Sequence, residues 1–246
     1  MKNEKVCVVG LGYIGLPTAL MFAECGFEVV GVDIDDQLTM DIDAGVSKIS
    51  EDSVRKLLKK VLSVGGFRVA STPEAANVYI LTVPTPIDSA KKPNLNFIFN
   101  ALASLIPFLS KGDMVILEST SPVGTTDQLV GLIESERPDL KISGRENPDI
   151  NVCYCPERIL PGNTIFELKN NDRVIGGVTE QCAERAKSLY QVFVDGDCFV
   201  TDSRTAELSK LTENAYRDVN IAFANELAAL SKDLDINVDE TLDRIR

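Results

Sequence analysis

The segment Gly10-Leu-Gly12-Tyr-Ile-Gly15 constrains the fold of this chain more than any other part of its sequence. It follows a short apolar run, Val6–Gly10, and precedes a segment whose apolar residues recur at helical spacing. In a β-α-β unit, the first glycine of such a turn permits a tight bend and the second lets a pyrophosphate approach the backbone. The third lets the helix pack closely on the strand. The pattern therefore predicts a dinucleotide-binding turn.

Strand-like and helix-like segments alternate along residues 1–202. Short apolar runs at Glu28–Val32, Val78–Val83, Met114–Glu118 and Asn151–Cys155 are separated by segments with helical periodicity. Strands that are joined by helices pair in parallel through right-handed crossovers. The sequence therefore predicts an α/β fold, a doubly wound Rossmann-type parallel sheet that forms one dinucleotide-binding domain over residues 1–202.

The character of the sequence changes after Asp202. From Arg204 to about Leu234 the chain contains neither glycine nor proline and favours a helix. A helix of about thirty residues is roughly 45 Å long at ~1.5 Å per residue, which exceeds the width of a small domain. We expect it to pack on a following domain, on a partner subunit, or on both.

The composition of the 246 residues excludes several functional classes. Lys and Arg number 25 against 37 Asp and Glu, and the net charge of −12 disfavours binding to nucleic acid or to an anionic membrane surface. The absence of histidine rules out imidazole-dependent hydrolysis and His-ligated zinc. The six cysteines lack a disulfide or metal-ligand spacing, and no apolar stretch is long enough to span a bilayer. We expect a cytoplasmic protein with reduced thiols and without a metal site.

Three polar residues follow strand ends, where open α/β sheets bind their ligands. Asp33 ends the second strand-like run, 18 residues (33 − 15) after Gly15. A carboxylate there accepts hydrogen bonds from ribose hydroxyls and repels a 2′-phosphate, so we predict NAD rather than NADP. Thr85 and Thr120 follow later strands and are candidates to contact the cofactor or the substrate. Each could equally be a turn residue or a helix cap.

The candidate catalytic residues lie in two places. Lys210, Asn214 and Arg217 fall at i, i+4 and i+7 on the long helix, so they share one face. Such a stripe can bind oxyanions or phosphate and can take part in proton transfer, although it is also typical of a solvated helix face. Glu157 and Arg158 follow another strand end, where Glu157 is either a base beside a cation or a salt-bridge partner.

Six motifs occur in an order that resembles one enzyme family. They are VVGLGYIGLPTA from Val8, VPTP from Val83, LESTSPVGTT from Leu117, YCPERILPG from Tyr154, NDRVIGG from Asn171 and RTAELSKLTENAYRDVNIAFANEL from Arg204. Together they resemble the UDP-sugar 6-dehydrogenases, which share ancestry with UDP-glucose and GDP-mannose dehydrogenases. The last motif and CPER-x-LPG are most similar to the branch that acts on UDP-N-acetyl-D-mannosamine, whose product feeds surface-polysaccharide synthesis.

The resemblance implies a reaction and its site residues. The C6 alcohol of a UDP-N-acetylhexosamine is oxidised to a carboxylate in two hydride transfers to NAD. Lys210 and Asn214 stabilise oxyanions or position water, Glu157 is an acid/base residue, and Thr120 belongs to the catalytic loop. The implied substrate contacts are Arg158, Ile159, Lys210, Asn214 and Arg217. The implied cofactor contacts are Gly10, Gly12, Tyr13, Ile14, Gly15, Asp33, Thr85 and Thr120. The resemblance also implies that residues 203–246 are the start of a central helical dimerisation domain, and that a homodimer forms through the long helix.

The family's nucleophile is a cysteine in a glycine-rich segment that would follow Arg246, and none of the six cysteines has such surroundings. A thiolate is needed there to form a thiohemiacetal and then a thioester. We therefore expect an N-terminal fragment that lacks the UDP-binding domain and binds NAD without completing the oxidation. Two alternatives stay open: a non-catalytic module for NAD binding and dimerisation, and a β-hydroxyacid-type dehydrogenase, which needs no cysteine.

Overall fold

The computed structural model describes residues 4–244 of the chain. The strands are β1 (Lys5–Val9), β2 (Glu28–Val32), β3 (Phe67–Ala70), β4 (Val78–Leu81), β5 (Met114–Leu117), β6 (Asn151–Tyr154), β7 (Arg173–Gly177) and β8 (Cys198–Asp202). The helices are α1 (Gly15–Glu24), α2 (Asp36–Asp43), α3 (Asp52–Val64), α4 (Asn96–Leu105), α5 (Thr125–Glu136), α6 (Thr164–Asn170), α7 (Glu180–Tyr190), α8 (Ser203–Asp233) and α9 (Val238–Arg244).

The strands form one eight-stranded sheet in the order β3-β2-β1-β4-β5-β6-β7-β8. Because β1 lies between β2 and β4, the chain winds outward in both directions from this point. The doubly wound Rossmann-type fold is thereby confirmed. In such sheets the ligand crevice lies beyond the carboxyl ends of the two strands at which the order reverses, here β1 and β4.

One pairing departs from the parallel pattern that the alternation predicts. β7 runs antiparallel to β6, with Cys153 opposite Gly177 and Tyr154 opposite Gly176. The chain reaches β7 through α6, a helix of seven residues that spans only about 10 Å at ~1.5 Å per residue. So short a helix does not carry the chain back to the amino edge of the sheet. β7 therefore begins at the edge where β6 ends.

Helices cover both faces of the sheet and bury its side chains in two clusters. One cluster includes Phe22 of α1, Leu58 of α3 and Tyr190 of α7, and the other includes Leu102 of α4 and Ile133 of α5. Successive residues of the central strands contribute to opposite clusters, as the two-residue period of a strand requires. This packing fixes the strand ends and, with them, the loops at the carboxyl edge.

The chain divides into two compact units, one through Leu208 and one from Ser209 onward. The predicted long helix is confirmed as α8, which has 31 residues. On it, the apolar side chains of Tyr216, Val219 and Phe223 are 72%, 67% and 61% exposed. Among the described residues, no helix combines the length and the apolar character that crossing a membrane requires.

Candidate functional site

The glycine turn between β1 and α1 is shaped to admit a ligand. Gly10 has φ +95°, and a Cβ on Gly15 would lie 1.8 Å from the carbonyl oxygen of Gly10. These two glycines therefore allow the tight bend and the close approach of α1 to β1. A Cβ on Gly12 would meet no atom within 4 Å, so this glycine faces open space at the N-terminus of α1. The turn fits a dinucleotide pyrophosphate, which needs both this room and the positive end of the helix dipole.

Asp33, at the carboxyl end of β2, is tied to the glycine turn. Its Oδ2 accepts a hydrogen bond of 2.8 Å from the backbone N–H of Leu11, and its Oδ1 accepts one of 3.0 Å from the N–H of Asp35. The side chain is only half-buried. A carboxylate has about four lone-pair positions, so Asp33 keeps acceptor capacity for ribose hydroxyls.

Four residues from three distant segments meet beside the glycine turn, and we call them the Glu51 cluster: Tyr13, Glu51, Gly162 and Thr164. The Tyr13 hydroxyl donates a hydrogen bond to Glu51 Oε1 and lies 2.7 Å from the Thr164 hydroxyl. The N–H groups of Gly162 and Thr164 donate to the two Glu51 oxygens at 2.9 and 2.7 Å. Burial alone would raise the pKa of Glu51, but the hydrogen bonds from Tyr13, Thr164 and Gly162 lower it to about 2.

The loops that follow β4 and β5 are joined to each other. The Thr85 hydroxyl donates a hydrogen bond of 2.8 Å to the carbonyl oxygen of Thr120, and the Ser119 hydroxyl donates one of 2.7 Å to the carbonyl oxygen of Val83. The structure thus brings together Thr85 and Thr120, two residues that the sequence predicts for the site. Both lie at the carboxyl edge and are half-buried.

Arg173 contacts the carboxylates of Glu118 and Glu157. We call these three residues the buried charge cluster. Arg173 Nη2 lies 3.1 Å from Glu157 Oε2, and Nη1 lies 3.7 Å from Glu118 Oε1. The three side chains are at most 8% exposed. The guanidinium carbon also lies 4.5 Å from the centre of the Tyr190 ring, a cation–π distance. Of the two roles predicted for Glu157, the structure contains the salt bridge.

Sequence comparison places this architecture in one family. The UDP-glucose/GDP-mannose dehydrogenase family, NAD binding domain, matches residues 4–194, and the central domain of the same family matches residues 204–246. The chain belongs to the UDP-glucose/GDP-mannose dehydrogenase family. Its NAD binding domain match confirms the predicted cofactor.

Relatives and solved structures resemble the chain over nearly all of its length. A UDP-N-acetyl-D-mannosamine dehydrogenase from Yersinia pestis is 47% identical over 98% of this chain and 58% of its own length. An NDP-N-acetyl-D-galactosaminuronic acid dehydrogenase from Ralstonia nicotianae is 48% identical over 96% and 56%. The structure of a UDP-D-ManNAc dehydrogenase from Pyrococcus horikoshii has a TM-score of 0.91 at 42% identity, over 97% of this chain and 56% of that one. The chain thus spans somewhat more than half the length of these dehydrogenases.

Four of the described cysteines are buried thiols with a raised pKa, which is not the state that a nucleophile requires. Burial raises the pKa of Cys7 and of Cys155 to about 12, and it raises the pKa of Cys153 and Cys198 as well. Cys182 is fully buried. The four thiols with a raised pKa stay protonated at neutral pH and react slowly.

The remaining predicted residues lie outside these clusters. Ile14 is the N-cap of α1, and Ile159 packs, partly buried, against the core. Lys210, Asn214 and Arg217 belong to α8 in the second unit, where Arg217 forms an ion pair of 3.2 Å with Glu213. Arg158 accepts a hydrogen bond of 3.5 Å from Asn171 at its carbonyl oxygen. The catalytic and substrate-binding roles of these residues stay predictions.

Sequence reasoning missed Glu51, Glu118 and Arg173. Glu118 directly follows the buried strand β5, and this position was the one available signal that its carboxylate is unusual. Glu51 and Arg173 gave no local signal, because their partners lie in other segments of the chain.

Proposed function

We propose that this chain forms the NAD-binding part of an NAD-dependent UDP-sugar 6-dehydrogenase. The observation that carries the proposal is the hydrogen bond from the Leu11 N–H to Asp33, which holds a carboxylate against a glycine turn whose central glycine faces open space. The glycine turn and the Asp33 carboxylate together fit the adenosine diphosphate part of NAD. The phosphates would lie at the N-terminus of α1, and the ribose would lie at Asp33.

The residues of the turn would hold the cofactor, which when bound supplies the acceptor for hydride. Gly12 leaves room for the pyrophosphate, and Asp33 accepts from the ribose hydroxyls while its charge repels a 2′-phosphate. Tyr13 and Ile14 lie in the same turn. Thr85 and Thr120, joined by their hydrogen bond, would orient cofactor and substrate at the carboxyl edge.

The family resemblance gives four residues a role in the chemistry at the sugar. In this proposal Glu157 holds or accepts a proton near C6, Thr120 positions the reacting groups, and the ammonium of Lys210 and the amide of Asn214 stabilise oxyanions. Arg158, Ile159 and Arg217 would contact the substrate. Preorganised donors of this kind act by favouring the charge that develops in the transition state.

A UDP-N-acetylhexosamine is the proposed substrate class, and UDP-N-acetylmannosamine is the first candidate within it. The names of two similar proteins, from Yersinia pestis and Ralstonia nicotianae, both specify an N-acetylated sugar.

We further propose that residues 1–202 form the NAD-binding domain and that residues 203–246 begin a domain through which two cytoplasmic copies pair. The exposed apolar side chains of Tyr216, Val219 and Phe223 support this pairing.

The test is isothermal titration calorimetry, in which the purified 246-residue chain is titrated with NAD⁺ and, separately, with NADP⁺. We expect NAD⁺ to bind at least tenfold more tightly, because Asp33 disfavours a 2′-phosphate. Equal affinity for the two, or no binding of either, would overturn the proposal.

A second assay addresses turnover. We expect the same chain to form no uronate from UDP-N-acetylmannosamine and NAD⁺, because the second hydride transfer needs a thiolate and none of its cysteines lies in the glycine-rich segment that the family resemblance implies. Turnover by this chain would contradict that expectation. In a third arm, the carboxy-terminal part of a family enzyme, with its cysteine segment, is added to the chain. If the chain binds NAD⁺ but the mixture stays inactive, the alternative of a non-catalytic module is favoured.

A further inference from the structure

The buried charge cluster contains one cation for two carboxylates. Glu118 and Glu157 both face Arg173, and all three side chains are nearly inaccessible to water. With both carboxylates ionised the cluster carries a net charge of −1, and with one protonated it is neutral. Burying an uncompensated charge is costly, so the interior favours the neutral state.

The surroundings of Glu118 make it the carboxyl that holds the proton. Glu118 is separated from Arg173 by 3.7 Å, longer than the 3.1 Å between Arg173 and Glu157. Its other contacts are neutral hydroxyls: Tyr190 donates to Oε1 at 2.5 Å, and Thr18 donates to Oε2 at 3.4 Å. Burial raises the pKa of Glu118 to about 7, even though the charge of Arg173 opposes that rise.

Two other titratable groups lie against Arg173: Cys155, whose Sγ lies 3.8 Å from Nη1, and Tyr190. Burial raises the pKa of Cys155 to about 12 and raises that of Tyr190 well above its usual value, so both stay neutral between pH 5 and 9. Of Glu118, Cys155 and Tyr190, Glu118 is therefore the group that changes charge near neutral pH.

We propose that Glu118 and Arg173 are positioning residues for Glu157, with the proton on Glu118 deciding how the guanidinium is divided between the two carboxylates. When Glu118 holds the proton, Arg173 pairs with Glu157 alone and fixes its carboxylate. When Glu118 loses the proton to solvent, Arg173 is drawn toward Glu118 and its contact with Glu157 loosens. This inference rests on the proposed function, in which Glu157 acts near C6 of the sugar.

The experiment follows Arg173 itself. The 246-residue chain, labelled with ¹⁵N in its arginine side chains, is titrated from pH 5.5 to 8.5 and the Arg173 Nε and Nη resonances are recorded by NMR. We expect them to move along a single titration curve with its midpoint near pH 7. In Glu118→Gln, which keeps a neutral acceptor for Tyr190, the movement is lost.

Two further variants keep the test decisive if Glu118→Gln folds poorly. Tyr190→Phe removes a hydrogen bond that favours the ionised form of Glu118, so the midpoint should rise by about 0.5–1 pH unit. Glu134→Gln, a matched change at a carboxylate outside the cluster, should leave the curve unchanged. Arg173 resonances that stay fixed in the wild type, or that move equally in Glu118→Gln, would overturn the inference. NAD⁺ affinity, measured on the same samples, reports separately on the proposed function.

Discussion

The backbone N–H of Thr164 donates a hydrogen bond of 2.7 Å to Oε2 of Glu51, a residue 113 positions earlier in the chain. Thr164 begins α6, and Glu51 is the N-cap residue of α3. Since Tyr13 of the glycine turn binds the same carboxylate, one side chain connects the predicted cofactor turn to the segment that follows Glu157.

Replacing Glu51 with Gln should therefore destabilise the fold. An amide accepts at only one of the two positions that the carboxylate oxygens occupy, so the backbone N–H of Gly162 or of Thr164 loses its acceptor, at a cost of about 1–3 kcal/mol. Urea denaturation at pH 7 measures the loss, and Glu146→Gln, a change at an exposed residue, is the control. Because the folded pKa of about 2 lies below the ordinary 4.5, the contribution of Glu51 is complete above pH 4.5 and is lost as the pH falls toward 2. A difference between wild type and Glu51→Gln that grew on acidification would contradict this assignment.

Gly12 and Gly15 should respond differently to the same substitution. Gly15→Ala places a methyl group 1.8 Å from the Gly10 carbonyl oxygen and should unfold or strongly destabilise the chain. Gly12→Ala meets no atom within 4 Å and should leave the melting temperature nearly unchanged while abolishing NAD⁺ binding. Thermal denaturation and NAD⁺ calorimetry on both variants separate the two roles. Undiminished NAD⁺ affinity in Gly12→Ala would show that the pyrophosphate lies elsewhere.

Glu118 should make the stability of the chain depend on pH with a definite sign. Its pKa rises from the ordinary 4.5 to about 7 on folding, so its favourable contribution is complete below pH 4.5 and is lost as the pH rises through 7. Relative to Glu118→Gln, the wild type should lose on the order of 3 kcal/mol between pH 4.5 and 8.5. Urea denaturation at several pH values measures this difference.

Glu134→Gln provides the control for that experiment. Hydrogen bonds from the backbone N–H of Ile142 and from Ser143 hold the pKa of Glu134 below its usual value, so this residue stays ionised from pH 5 to 8.5. Its difference from the wild type should therefore be flat over that range. An equally flat result for Glu118→Gln would mean that Glu118 does not titrate there.

Glu207 should be among the most sensitive residues at the start of α8. It is fully buried, and its carboxylate accepts hydrogen bonds from Gly124 N–H at 2.6 Å and from the N–H and hydroxyl of Thr126 at 2.8 and 2.7 Å. Glu207→Ala leaves these donors at the N-terminus of α5 without their acceptor and should cost about 2–4 kcal/mol. Chemical denaturation tests this, with Glu226→Ala on the exposed part of the same helix as the control. Similar denaturation midpoints for the two variants would refute the role given to Glu207.

The parts of the site that sequence could predict are those set by local spacing. The glycine turn and Asp33 lie within one β-α-β unit, whose geometry fixes where the second strand ends. Thr85 and Thr120 could be placed at the carboxyl edge for the same reason, although their hydrogen bond to each other could not be foreseen.

The buried charge cluster was beyond sequence reasoning, because it depends on the direction of one strand. The alternation of segments predicts a parallel β7, which would remove Arg173 from Glu157. The seven-residue α6 was too short to give a clear periodic signal, and its brevity is what reverses β7.

The antiparallel direction of β7 determines which of its residues lies at the carboxyl edge of the sheet. The antiparallel register of β6 and β7, continued outward by three residues, sets Arg173 opposite Glu157. In a parallel arrangement the first residue of this five-residue strand would lie about 13 Å away, at ~3.3 Å per residue. Arg173, the first residue of β7, thus lies at the edge of the sheet that β1 to β6 reach with their last residues. A shift of β7 by one residue in its register with β6 would turn the Arg173 guanidinium to the other face of the sheet and leave both acids without their cation.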